Sequence, residues 1–189
     1  MGQDLWKLMA AGALFGLLGC TSDLPEDVSQ SDLGAFKLDR LVVIVDEPQQ
    51  LPFSRIMDDA SLEKALVDAV EPAFRRFDGD QLYTIGINLQ GYSLAVPGVP
   101  VVGAPKSFLA MSVNVYDDVP RRLNPSPKRI IVTEDAGADT VVGSGYTQSG
   151  MSQLDELADN AAVAIERWLR ANPEWFAPDP DTEEPAPGT

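Results

Sequence analysis

Four pairs of adjacent acids punctuate the chain, at Asp46-Glu47, Asp58-Asp59, Asp117-Asp118 and Glu134-Asp135. Paired carboxylates can share a proton in hydrolysis or supply oxygen ligands to calcium. None of the four spells a calcium loop. Each stands where the surrounding pattern ends a strand or starts a helix, and acids at such places serve as turn and cap residues. The chain has no histidine and one cysteine, Cys20, which removes Ser-His and Cys-His nucleophile pairs, His-ligated metals and Cys-ligated zinc. The glycine-rich segment Gly143-Ser144-Gly145-Tyr146-Thr147-Gln148-Ser149-Gly150 precedes a helical pattern and invites comparison with a phosphate cradle. It lacks the lysine of a P-loop and the G-x-G-x-x-G spacing, and its first two glycines fall inside an alternating strand, so it reads as close-packed strand and turn. No catalytic residue, metal site or cofactor is expected. What remains is a basic cluster, Arg121, Arg122, Lys128 and Arg129, in the Pro-rich turn VPRRLNPSPKR. Such a loop on an acidic protein can touch anionic headgroups or an acidic partner; the competing reading is a hairpin tip whose charges are simply solvated.

The lone cysteine is informative because of its position. An odd cysteine in an exported protein is a reactive thiol or a modification site. Cys20 closes the run Leu17-Leu18-Gly19-Cys20, behind a stretch from Leu8 to Leu18 broken only by alanine and glycine. That stretch is shorter than the roughly 20 apolar residues of a spanning helix and has the length of an export-signal core, with Lys7 as its positive flank and Asp4 weakening it. Residues 17–20 resemble the lipobox of bacterial lipoproteins: Leu17 at the third place before the cysteine, Gly19 directly before it, Leu18 tolerated at the second. The resemblance implies cleavage between Gly19 and Cys20 and lipidation of Cys20. Amino-terminal myristoylation fails because Trp6 occupies the place that needs Ser or Thr. A buried amino-terminal helix with Cys20 as a core thiol is the other alternative, and the near absence of polar residues from Leu8 to Cys20 opposes a surface helix there.

Charge narrows the partners. The chain carries 14 Lys plus Arg against 29 Asp plus Glu, a net charge of −15, and removing residues 1–19 takes away one charge of each sign. A body this acidic is repelled by phosphate backbones, so nucleic acid is excluded as an expected partner. Residues 20–34 hold the lipidated cysteine and a polar, breaker-rich stalk, and residues 177–189, APDPDTEEPAPGT, have nothing to bury and read as a disordered acidic tail. One globular domain is expected between residues 35 and 176, without internal repeats.

Its elements follow from periodicity. Phe36 to Val45 end in the β-branched run Leu41-Val42-Val43-Ile44-Val45, which reads as a central strand buried on both faces. Leu62, Leu66, Val70, Phe74 and Phe77 share one face of a helix that Asp59 or Ser61 can cap and that Pro72 should kink or divide. Tyr83, Ile85, Ile87 and Leu89 alternate with Thr84, Gly86, Asn88 and Gln90, the mark of a strand with one covered face. After the link from Pro97 to Pro105, Leu109, Met111, Val113 and Val115 alternate again, and the two strands suit an antiparallel pair. Arg129 to Thr133 and Thr140 to Tyr146 give two further strands around a turn at residues 135–139. Leu154, Leu157, Ala158, Ala161, Ile165 and Leu169 line a closing helix, with Ser152 and Asp155 resembling a capping box and Asn172-Pro173 as its stop. The expected fold class is α+β, a two-layer sandwich with two helices on one face of a largely antiparallel sheet of four to five strands. The crossover through the first helix can make strands one and two parallel and the sheet mixed.

Lipobox, stalk, a first strand reading FKLDRLVVIVDE and this order of elements are similar to small uncharacterised alphaproteobacterial lipoproteins. More loosely, the layout is similar to envelope lipoproteins that assist transporters and to the amino-terminal domain of the Tol-system protein TolB. The resemblance implies accessory or assembly work. The expectation is a non-enzymatic, lipid-anchored cell-envelope protein facing the periplasm, tethered through Cys20, whose domain binds or scaffolds an envelope protein. A carrier of small ligands or lipids, with a cavity between helices and sheet, is the alternative. Thr21, where an aspartate would retain a lipoprotein in the inner membrane, tilts the anchor toward the outer membrane.

Overall fold

A computed structural model describes residues 33–96, 107–134 and 149–177, all within one compact unit. The export segment, Cys20, the stalk to residue 32, the 97–105 link, the 135–139 turn, the 140–146 strand, the glycine segment through Gln148 and the tail beyond residue 177 lie outside the described residues.

The protein is an α+β fold in which two helices cover one face of an open, mixed four-stranded sheet. Strand β1 (Phe36–Gln50) leads through helix α1 (Asp59–Arg75) to β2 (Gln81–Ser93), then to β3 (Phe108–Tyr116), β4 (Lys128–Thr133) and helix α2 (Gly150–Arg170). Sheet order equals chain order, β1-β2-β3-β4. The crossover through α1 makes β1 and β2 parallel, with Leu41 opposite Ile85 and Val45 opposite Leu89. β2 and β3 are the expected antiparallel pair, Ile87 facing Val113, and β3 continues antiparallel to β4, Met111 facing Ile130.

Period-2 alternation fixes which face is covered. Tyr83, Ile85, Ile87 and Leu89 of β2 point with Leu109, Met111, Val113 and Val115 of β3 into the core, and all eight are buried. The helices supply the other wall through Leu62, Leu66, Val70 and Phe74 of α1 and Leu154, Leu157, Ala161, Ile165 and Leu169 of α2. α1 lies over β1 and α2 over β3 and β4.

One expectation is corrected at β1. The strand is neither central nor buried on both faces: it forms an edge of the sheet, and among the described residues β2 is its one partner in the sheet. Burial alternates along it, with Leu41, Val43 and Val45 half-buried under α1 while Val42 is 37% and Ile44 49% exposed. A continuous β-branched run has the same composition whether two layers cover it or one does, so the run cannot reveal that the second layer is missing.

The helix starts are corrected as well. α1 is capped by Asp58, whose carboxylate accepts the Ser61 N–H at 2.9 Å and the Ser61 hydroxyl at 2.8 Å, in place of Asp59 or Ser61. Those bonds, the hydroxyl first, hold the Asp58 carboxyl below its ordinary range. The cap's contribution is therefore present above the unfolded carboxyl value and lost as pH falls through the lowered one. α2 is capped three residues earlier than its capping-box pattern suggests, by Ser149, whose hydroxyl oxygen accepts the Ser152 N–H at 3.1 Å. Pro72 does not divide α1: it sits exposed in the last turns of the continuous helix, where buried Val70 and Phe74 hold the backbone against the core. After α2, Pro173 opens a short 3-10 turn to Phe176.

That turn closes one end of the core. The Ala35 N–H donates to the Phe176 carbonyl at 2.8 Å, and Leu33 is only 6% exposed. Phe36 stacks on Tyr83 with ring centres 5.2 Å apart and 9° between planes, and takes Phe74, Phe77 and Phe176 edge-on or nearly so at 5.4–6.0 Å. Gly79 is needed here: a Cβ on it would stand 2.2 Å from the Ala35 carbonyl carbon. Its N–H donates to the Phe36 carbonyl at 3.0 Å, so the backbone at the start of β2 is pressed against the start of β1.

Candidate functional site

Of the basic residues singled out in the sequence, Arg121 and Arg122 lie on the connection from β3 to β4 and Lys128 and Arg129 open β4 itself, and one buried side chain shapes that connection. Asn124 is 3% exposed. Its carbonyl oxygen accepts the Val115 N–H at 3.0 Å, and its amide donates to the Ser126 carbonyl at 2.6 Å, to Asn114 Oδ1 at 3.2 Å and to the Val113 carbonyl at 3.3 Å. The two prolines beside it, Pro125 and Pro127, have no N–H to offer a ladder, which keeps this stretch out of the sheet. Asn124→Ala removes a donor and acceptor set from a dry site and leaves the Val115 N–H unpaired. A loss of about 1–3 kcal/mol in denaturant unfolding is expected, with faster amide exchange confined to residues 113–127.

The four cations are exposed, but the fold does not gather them on one face. Arg121 is already engaged: its guanidinium Nε lies 2.9 Å from Asp117 Oδ2, and its N–H donates to Asp117 Oδ1 at 2.8 Å. Arg122 donates to the Pro125 carbonyl at 2.9 Å and bridges to Tyr116 through the backbone. Lys128 stands opposite Val113 and Arg129 opposite Ser112, so these two neighbours point to opposite faces of the sheet. Arg122 and Lys128 meet β3 three residues apart, a spread of about 10 Å along the strand. Among the described residues, Arg122, Lys128 and Arg129 make no ion pair. Among the described residues the hairpin therefore carries three cations without an ion pair, Arg122, Lys128 and Arg129, and one that Asp117 neutralises, Arg121.

The sheet face beneath Arg129 was foreshadowed by the alternation of β2. It carries Thr84, Gly86 and Asn88 from β2 beside Ser112, Asn114 and Tyr116 from β3. The edge of the Tyr116 ring lies 3.7 Å from where a Cβ on Gly86 would stand, an ordinary van der Waals contact. These six positions carry no carboxylate, and among the described residues both helices lie on the other face.

No protein-family model and no curated protein matches this chain. Two solved structures are similar to it. A Caulobacter crescentus CB15 protein described as a lipoprotein has 17% identity and a TM-score of 0.36, over 74% of this chain and 93% of that one. A minor lipoprotein from Acinetobacter baumannii has 13% identity and a TM-score of 0.31, over 70% of this chain and 91% of that one. Identities this low transfer no role to the present protein.

Three of the paired acids take structural places. Asp58 is the α1 cap and Asp59 its first residue, Asp117 holds Arg121, and Asp46 and Glu47 are exposed near the end of β1, Glu47 with φ of 45°. Glu134 Oε1 is buried without a hydrogen-bond partner, and Asp135 lies outside the described residues. Among the described residues no three acids stand close enough to share a metal ion. Tyr83 keeps its proton: burial first, then the charges of Asp117, Asp118 and Asp80, push its phenol above the ordinary range. The sequence left Asn124 unremarked, although an Asn directly before Pro-Ser-Pro is a turn signal that could have marked it.

Proposed function

We propose that this protein is a lipid-anchored component of the bacterial cell envelope, tethered through Cys20 and facing the periplasm, whose domain binds another envelope component and catalyses nothing. The observation that carries the reading is the apolar run Leu8 to Leu18 closed by Leu17-Leu18-Gly19-Cys20, ahead of a domain with its own closed core. Thr21 after the cysteine favours the outer membrane. Among the described residues no helix is long and apolar enough to cross a membrane. The β3–β4 hairpin supports the binding part, because Asn124 ties its connection to β3 and Arg122, Lys128 and Arg129 are exposed with no ion pair among the described residues. Transport or assembly is the process this layout suits.

The test is recovery of partners from solubilised envelope, alongside flotation with anionic vesicles, comparing the unaltered protein with a variant in which Arg121, Arg122, Lys128 and Arg129 are all Ser. These residues are exposed, so folding should be unchanged. An unpaired cation near an anionic surface contributes about 1 kcal/mol, and because Lys128 and Arg129 point to opposite faces two of the three meet one surface, so binding should fall about thirtyfold at low salt and lose its salt dependence. Equal recovery by both proteins at both salt levels would return the loop to a solvated hairpin tip.

A further inference from the structure

The edge of β1 carries the pattern of a strand that pairs with itself. Register shifts interrupt the ladder with β2 at Leu38/Arg40 and at Val45/Gln49, leaving a regular stretch from Arg40 to Val45 between them. Bulges, Pro48 and exposed charges blunt both ends of the strand, as sheet edges usually require. The middle is not blunted. Leu41 to Val45 is an uncharged β-branched run on a protein of net charge −15, with Val42 and Ile44 exposed on the uncovered sheet face.

We propose that two copies of this chain join antiparallel along β1 about a two-fold axis at Val43, forming one continuous eight-stranded sheet. Opposed residues of an antiparallel pair share a face, so the two sheets continue one another, helices on the same side, only if paired residue numbers sum to an even value. A sum of 86 sets Val43 opposite itself, Val42 opposite Ile44, Leu41 opposite Val45 and Arg40 opposite Asp46. Arg40 and Asp46 are both exposed, and neither makes an ion pair among the described residues. In this register each finds its complement in the other copy, twice per dimer. The neighbouring even sums fail: 84 sets Arg40 opposite Ile44, and 88 sets Asp46 opposite Val42. A second copy in this register meets Arg40 and Asp46 with their opposites and covers the four exposed Val42 and Ile44 side chains with one another; the next position out sets the acids Asp39 and Glu47 opposite each other, at the irregularities where the ladder with β2 is already interrupted. Repulsion between the two acidic bodies is screened within about 8 Å at physiological salt, whereas the Arg40–Asp46 contacts are direct. The inference is independent of the anchor reading.

The experiment is sedimentation of the full chain in detergent. A concentration-dependent dimer is expected. Arg40→Asp sets like charges opposite each other at two places and should weaken it about tenfold, as should Asp46→Arg. The double variant Arg40→Asp with Asp46→Arg restores both pairs and should return within about threefold of the unaltered protein. Melting curves of all three variants should coincide at concentrations low enough for each to be monomeric, since both positions are exposed. Register is read by mild oxidation. Val43→Cys should form a disulfide dimer, because opposed Cα atoms stand about 4.5–5.5 Å apart, inside the bridging range. Val42→Cys or Ile44→Cys alone should add nothing above the background from Cys20, and mixing the two should. Three results would each overturn the proposal: a chain that stays monomeric at about 50 µM, a double variant no better than the single ones, or a Val43→Cys variant that crosslinks to a different protein in place of its own second copy.

Discussion

Phe36→Ala should cost about 3–5 kcal/mol of unfolding free energy. Phe36 is fully buried, and its ring meets Tyr83, Phe74, Phe77 and Phe176, residues drawn from β2, α1, the turn after α1 and the 3-10 turn at the carboxyl end of the domain. Removing it opens a hole among rings that cannot collapse independently, because each is fixed by a different element. The backbone around it is also committed, through Gly79 N–H to the Phe36 carbonyl and Ala35 N–H to the Phe176 carbonyl. Against the roughly 5–15 kcal/mol of an ordinary domain, the loss is about a fifth of the total or more. Urea unfolding of the two proteins measures it, and Phe36→Leu, which keeps most of the volume, should cost clearly less. A loss under about 1 kcal/mol for the alanine variant would show that this aromatic end is not part of the cooperative core.

Much of the fold was legible because alternation and helical spacing are direct consequences of a one-sided core. Tyr83 to Leu89 and Leu109 to Val115 alternate because helices cover only one face of their sheet, and the structure has them antiparallel as the pattern implied. The α1 crossover also implied that β1 and β2 could be parallel. The position of β1 was not legible, since Leu41 to Val45 would be equally apolar under one layer or two. Helix starts were misplaced for a related reason. The apolar face marks where packing begins, whereas Asp58 and Ser149 are set by which side chain can reach an N–H three residues on, and another acceptor stands close by in each case. Asn124 was missed because burial of a polar side chain depends on backbone groups that only the folded loop brings to it. The basic residues were found, but their distribution over two faces required the register of β4.

The proposed anchor carries the largest expected effect. If Leu17-Leu18-Gly19-Cys20 is a cleavage and acylation box, the whole outcome depends on one sulfur, because the thiol of Cys20 is the group that takes the lipid and no second cysteine can replace it. Serine is nearly the same size as cysteine but carries a hydroxyl in place of the thiol, so Cys20→Ser tests the chemistry. The domain would remain folded, since its core begins at Leu33. A single chain gives marginal membrane binding and stable tethering takes more than one, so release from the membrane is a weaker readout than the modification itself.

The decisive measurement is labelling of cells with a fatty-acid analogue, followed by intact-mass analysis of the purified protein and of its Cys20→Ser variant. The account predicts that the unaltered protein incorporates label and has lost residues 1–19, while the variant takes up none and keeps the full precursor mass. A variant that is labelled and shortened like the unaltered protein, or an unaltered protein that carries no lipid, would contradict the account.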